Sequence, residues 1–282
     1  MIKNAFSKTQ IDRLGDRLKG GPHTETDLRL LDDYRRSFGD AYKDVVRISR
    51  ERGQHPTGRS AKSIRSIVDK LRRESIRLSQ VQDIAGCRIV VTDVMEQERV
   101  VASLGAAFPG ASVIDRCENP SYGYRAVHIV AEISGKPVEI QVRTSLQHMW
   151  ANLSEKSSDV IDPTIKYGGG PDRWRNSLTL TSKSVAACEV VEKKHSEAVT
   201  AHEKFEKAVA KPPEHHEPNY VRHEDVQLRG KLEGSRLRME TLSEELVALR
   251  NKNADLLTKM ISSLDINEWS RSNDFSNRIQ PE

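Results

Sequence analysis

The sequence predicts an α/β (α+β) protein, a mixed β-sheet flanked by helices with a long helical C-terminal extension. Three observations point there. Helical apolar spacing fills about the first 80 positions, strand-like alternation dominates from Cys87 to Thr144, and helical spacing returns from Leu146 onward. Segments that each have one apolar face to cover pack most simply as helices on a sheet.

In the first region Thr24 opens a helix whose stripe runs through Leu28, Leu31, Phe38, Tyr42 and Val45 and ends near Gly53. A further helix turns Ile64, Ile67, Val68 and Leu71 inward. Lys62, Arg65, Ser66 and Arg73 then lie opposite, with Lys70 on the flank. Next come a strand CRIVVT (87–92), a helix from about Glu96 to Phe108 and a strand SVID (112–115). Two alternating runs follow, RAVHIVAEI (125–133) and PVEIQVRT (137–144), joined through Ser134, Gly135 and Lys136. A tight turn makes them a hairpin in which Val138, Ile140 and Val142 face a core and His128, Glu139, Gln141 and Arg143 share the other face. That polar face either meets water or forms a reaction site, where hydrogen-bonding and titratable groups converge.

The helical remainder is broken by YGGGP (167–171) and PPEHHEP (212–218). The reading is a domain over 1–175, a helical extension over 176–211, a linker at 212–219, an amphipathic or coiled-coil helix over 220–265 and a tail at 266–282. A heptad can be written with Leu232, Met239, Leu246, Asn253 and Met260 at a and Leu242, Leu249 and Leu256 at d. It describes either a seam with another copy, making a homo-oligomer through this helix, or a helix packed on its own domain. In the first case a chain ending near Lys211 keeps its fold and changes its assembly. His215 and His216, near His202 and His223, have no defined ligand spacing and read as solvated.

Charged residues make up 30% of the 282 positions, aromatics 5% and hydrophobics 36%, a balance that calls for an exposed helix somewhere. The net charge is +4, but residues 1–80 hold 19 Lys/Arg against 11 Asp/Glu, a local +8. That front end either accepts phosphates or nucleic acid or is a solvated helix surface. Three cysteines without CxxC spacing argue against a disulfide framework. No apolar opening reads as a signal peptide, and no run reaches the ~18 apolar residues of a membrane span, so a soluble, cytoplasmic protein is expected.

Several segments carry chemistry. QDIAGCRIVV (82–91) places Asp83 and Arg88 around a small-residue turn entering a strand. Asp83 is either a turn or cap residue or, with Glu139 as a second carboxylate, a Mg²⁺ ligand. GRSAKSIRSIVDKL (58–71) offers Arg59, Lys62 and Lys70 for polyphosphate, without a Walker A pattern. NPSYGYRAVH (119–128) reads as a flexible loop presenting Tyr122, Tyr124 and Arg125, side chains able to stack a base and pair a phosphate.

In order, K-x-x-x-S-I-x-x-K-L (Lys62 to Leu71), DIAG-x-R (Asp83 to Arg88), GYR-x-x-H (Gly123 to His128) and EIQ-x-RT (Glu139 to Thr144) followed by Trp150-Ala151 resemble the synthetase domain of the RelA/SpoT family, the alarmone synthetases. The resemblance covers about residues 20–175. It implies a nucleotidyltransferase-like fold and a pyrophosphokinase that moves the β,γ-diphosphate of ATP to a ribose 3′-hydroxyl, most often of GDP or GTP. It further implies Asp83 and Glu139 on Mg²⁺, with Glu139 also taking the hydroxyl proton. Arg88 would stack on adenine, Lys62 and Lys70 would hold phosphates, Tyr124 would stack on the acceptor base, and Arg116, Arg125, His128 and Gln141 would line the acceptor site.

Two departures bear on this. The second adenine-stacking arginine of the family falls on Ser60, with Arg59 one position early. The loop CENPSY (117–122) lacks the lysine that often holds acceptor phosphates, and Pro120 stands near its place. This loop and QHMWANLSEK (147–156) look more like the toxin-type small synthetases, some of which modify the 3′ CCA end of tRNA and would need a neutralising antitoxin. His223-Glu224-Asp225 is not a convincing counterpart of the family's hydrolase HD motif, so synthesis without hydrolysis is expected. From another class, the chain could be a catalytically degenerate RNA-binding or coiled-coil module.

Overall fold

The computed structural model describes residues 6–210 and 223–276. Its helices are α1 (Lys8–Lys19), α2 (Glu25–Arg36), α3 (Gly39–Glu51), α4 (Ile64–Arg73), α5 (Val94–Ala107), α6 (Ser145–Val160), α7 (Asp172–Val209) and α8 (His223–Ser276). The strands are β1 (Thr57–Arg59), β2 (Ala85–Val91), β3 (Ser112–Asp115), β4 (Val127–Ile133) and β5 (Lys136–Thr144). The strands form one mixed sheet in the order β1-β2-β5-β4-β3, so the architecture is the expected sheet flanked by helices. Among the described residues no helix is long and apolar enough to cross a membrane. The 212–219 segment, with His215 and His216, lies outside the described residues.

The chain divides into two compact units. The first comprises Met1–Val91, Gln97–Glu118 and Ala126–Arg143, and the second Thr92–Glu96, Asn119–Arg125 and Thr144–Glu282.

In the first unit the inward residues of the sheet, Ile89, Val91, Ile129, Ala131, Val138, Ile140 and Val142, join Leu14, Leu31, Phe38, Ile67 and Leu104 of the helices in one buried cluster. Thr24 caps its helix as the sequence indicates, its hydroxyl accepting from Asp27 N at 3.1 Å. The single helix expected from Thr24 to Gly53 is instead two, α2 and α3. Ser37 Oγ donates to Tyr34 O at 2.6 Å and occupies the carbonyl at which the chain turns, while Phe38 remains wholly buried. Both halves thus keep the apolar stripe across the break.

The β4–β5 hairpin has the expected pairing, with His128 opposite Gln141 and Val130 opposite Glu139. Its loop is Ser134-Gly135 alone, both with positive φ; Lys136 already pairs with Ile133. Strand β1 lies in a stretch expected to be helix and loop. Its three exposed residues pair with β2, Thr57 with Arg88, Gly58 with Cys87 and Arg59 with Gly86.

In the second unit α7 and α8 run antiparallel. His202 Nδ1 lies 3.0 Å from Ser235 Oγ, Arg250 Nε donates to Glu192 at 2.9 Å, and Asn253 Nδ2 reaches Ser184 O at 3.5 Å. The buried stripe of α8 runs Leu246, Asn253, Leu257, Leu264. Leu256, a d residue of the heptad, is 41% exposed, so the heptad frame fails after Asn253 and the spacing follows the 3.6-residue turn. Leu257 and Leu264 pack in a cluster with Trp150, Leu153, Leu178 and Val185. The helix thus packs on its own unit.

Candidate active site

Antiparallel partners present side chains to the same face, so the registers define one polar face of the sheet in the first unit. β4 and β5 place His128, Glu139, Gln141 and Arg143 on it. On the edge of β2 the position of Gly86 faces Glu139, since a Cβ there would lie 3.6 Å from the Cβ of Glu139 and 3.0 Å from its carbonyl oxygen. Arg88, two residues on, shares that face, as does Arg59 through its pairing with Gly86. Ile114 pairs with His128, and Arg116 N donates to Ala126 O at 2.9 Å, carrying Arg116 to the end of the same face.

Glu139 is held from both oxygens. His128 Nδ1 lies 2.9 Å from Oε1, and Gln141 Nε2 donates to Oε2 at 2.7 Å. Gln141 Oε1 in turn accepts from an Arg143 guanidinium nitrogen at 2.7 Å, and Arg143 is buried. The amide of Gln141 therefore has one orientation, nitrogen to the carboxylate and oxygen to the guanidinium. Burial raises the affinity of Glu139 for a proton and the charge of Asp83 works in the same sense, but His128 and Gln141 outweigh both and hold its pKa below the ordinary value.

Asp83 precedes β2, where Lys62 N donates to Ile84 O at 2.7 Å and ties the segment before α4 to the strand entrance. Lys62 Nζ reaches Asp83 Oδ2 at 2.5 Å, and Lys70 Nζ reaches Oδ1 at 3.0 Å. Burial pushes Asp83 up, yet the two lysines prevail and bring its pKa down to about 2. Lys62 is itself lowered, mainly by its own burial, with Asp83 acting against that trend. The sequence reading gave these lysines to phosphates and Asp83 to a metal; here they neutralise one another. Arg88 is half-buried and its Nε has no hydrogen-bond partner, while Arg59 is exposed.

No group of three His, Cys, Asp or Glu suited to a metal occurs among the described residues. Asp83 and Glu139 supply two carboxylates, and Glu139 feels the charge of Asp83. This donor set suits Mg²⁺, which takes one or two carboxylates and completes its shell with water and phosphate oxygens.

Tyr124 and Arg125 belong to the second unit. The expected flexible loop presenting three side chains is corrected there. Tyr122 is 63% exposed, but Tyr124 packs against the Trp150 cluster and Arg125 is half-buried in an ion pair. Arg125 Nε donates to Glu189 Oε1 at 3.0 Å and Oε2 at 3.1 Å, and its Nη2 also reaches Oε2. Gln147 Nε2 adds a bond to Glu189 Oε1 at 2.8 Å. Sequence reasoning did not single out Glu189 or Ser182, since one acid and one serine among many on a 38-residue helix carry no local signal.

Residues 58–158 match the family described as the region found in RelA / SpoT proteins. It is 38% identical over 118 residues to an uncharacterized protein of Mycobacterium tuberculosis, a match covering 40% of this chain and 43% of that one. It is 33% identical over 97 residues to the probable GTP diphosphokinase RSH2, chloroplastic, of Arabidopsis thaliana, covering 33% of this chain and 14% of the relative. The chain thus spans less than half the length of these relatives. Among solved structures, small alarmone synthetase 1 from Bacillus subtilis bound to its product pppGpp aligns at 25% identity and a TM-score of 0.42, over 61% of this chain and 97% of that one.

Proposed function

We propose that the protein is an ATP-dependent pyrophosphokinase that transfers the β,γ-diphosphate of ATP to the ribose 3′-hydroxyl of GDP or GTP, releasing AMP, and that it synthesises without hydrolysing. The observation that carries this reading is the meeting, in one unit, of a carboxylate fixed from both sides, Glu139, with a second, Asp83, ringed by Lys62 and Lys70. The GTP diphosphokinase name of the plant relative supports the choice of acceptor.

Transfer of a phosphoryl chain needs charge neutralisation and in-line positioning more than covalent help. Asp83 and Glu139 would hold Mg²⁺, which when bound neutralises charge on the phosphates. Lys62 and Lys70 exchange Asp83 for phosphate oxygens when ATP enters. Arg88 offers its planar guanidinium to the adenine, and Arg59 stands as the other cation on that edge. Glu139 takes the proton of the attacking 3′-hydroxyl, while His128 and Gln141 keep its carboxylate aimed and ionised. Arg116 adds positive charge for the acceptor, and stacking on the acceptor base falls to Tyr124 by its place in the GYR motif.

A second reading, transfer to the 3′ end of tRNA, is favoured by one feature: residues 117–122 hold no lysine for acceptor phosphates, whereas residues 1–80 carry a net +8. The test is to incubate the protein with Mg²⁺ and γ-labelled ATP and offer GDP, GTP or deacylated tRNA separately. Label on a guanosine nucleotide is the expected result. Label on tRNA alone would establish the second reading, and no label on any acceptor would overturn both.

A further inference from the structure

We infer that α7, which lies outside the matched family region, holds the GYR segment in its working shape through Ser182 and Glu189, and that these are positioning residues for the acceptor. This rests on the acceptor role proposed above for Tyr124. The residues on either side of that tyrosine are both fixed to α7. On one side, Gly123 has φ +89°, and a Cβ there would come within 2.8 Å of Trp150 Cζ2 and 3.2 Å of Ser182 Cβ. Its carbonyl accepts from Ser182 Oγ at 2.6 Å. On the other side, the guanidinium of Arg125 is clamped by Glu189, which Gln147 braces in turn.

Ser182 and Glu189 are seven residues apart, two helical turns, and so lie on one face of α7. Trp150 is itself fixed, its indole N–H donating to Leu178 O at 2.9 Å. The backbone of Tyr124 thus has an anchor at each neighbour, and its ring packs into the Trp150 cluster. Arg125, whose charge Glu189 already compensates, acts as a strut and not as a phosphate ligand. The acceptor motif is therefore not self-supporting.

The test combines two readouts on the full chain. Hydrogen exchange measured without nucleotide should quicken at residues 121–126 in Glu189→Gln and in Ser182→Ala. In initial-rate assays the KM for the acceptor should rise about tenfold in Glu189→Gln while that for ATP stays within about twofold, because a displaced stacking residue costs only the substrate it holds. Ser182→Ala removes one hydroxyl, so loss of folding cannot account for its effect. Unchanged exchange in both variants would overturn the tether. KM values for ATP and acceptor rising together would reduce Glu189 to a general structural role and overturn the positioning claim. A wild-type protein that transfers to no acceptor would remove the acceptor role together with the transferase reading, and the exchange result would still decide whether the tether exists.

Discussion

Glu139 directs its two oxygens to different partners, so the carboxylate is oriented before any substrate arrives. In Glu139→Gln the side chain keeps its shape but can take no proton. Transfer should fall at least about 100-fold, the scale of a lost general base, while ATP affinity measured by calorimetry changes little; an active variant would reject the assignment. Asp83 makes a prediction about stability. Its pKa is lowered from 3.8 to about 2, so its contribution is fully present above pH ~4 and is lost as the pH falls toward 2. The lowering corresponds to about 2 kcal/mol, and the stability to urea lost between pH 5 and pH 2 should be larger by about that amount in wild type than in Asp83→Asn, the other lowered carboxylates contributing equally to both. At this scale the sequence was informative where partners are near: the strict alternation of PVEIQVRT already brought Glu139, Gln141 and Arg143 together. It was silent where they are far, as for Asp83, 21 residues from Lys62, and Arg125, 64 residues from Glu189.

Among the elements, the hairpin and α4 were legible because each satisfies one period over a full length. Strand β1 was not, since three exposed residues containing a glycine hold no alternation; it exists because the edge of β2 offers it hydrogen bonds. Gly58 shows how close that approach is, for a Cβ there would stand 2.3 Å from Gly86 O and 2.5 Å from Cys87 Cα. Gly58→Ala should therefore force β1 away from β2, cost about 1–3 kcal/mol and displace Arg59; thermal unfolding checks the first effect and ATP affinity the second. The heptad of α8 misled for a related reason. Heptad and helical periods differ by only ~20° per seven residues, so the leucines at 242 and 249 fit either, and only the burial of Leu257 in place of Leu256 separates them.

For the molecule as a whole, α8 is part of the core of the second unit. Leu246, Leu257 and Leu264 are buried, each worth about 2 kcal/mol, and Asn253 is buried with them. A chain ending near Lys211 was expected from the sequence to keep its fold and change only its assembly. The packing now predicts that it exposes the Trp150 cluster, which a blue-shifted dye fluorescence and faster hydrogen exchange in α6 would report; an unchanged exchange pattern would return α8 to the role of an accessory helix. The central claim is the chemistry of the first unit, and product stoichiometry tests it most directly. With Mg²⁺, ATP and GDP or GTP, chromatography should show AMP formed one for one with an acceptor that has gained two phosphates. ADP as the product, or AMP without a modified acceptor, would contradict a diphosphate transfer governed by Asp83 and Glu139.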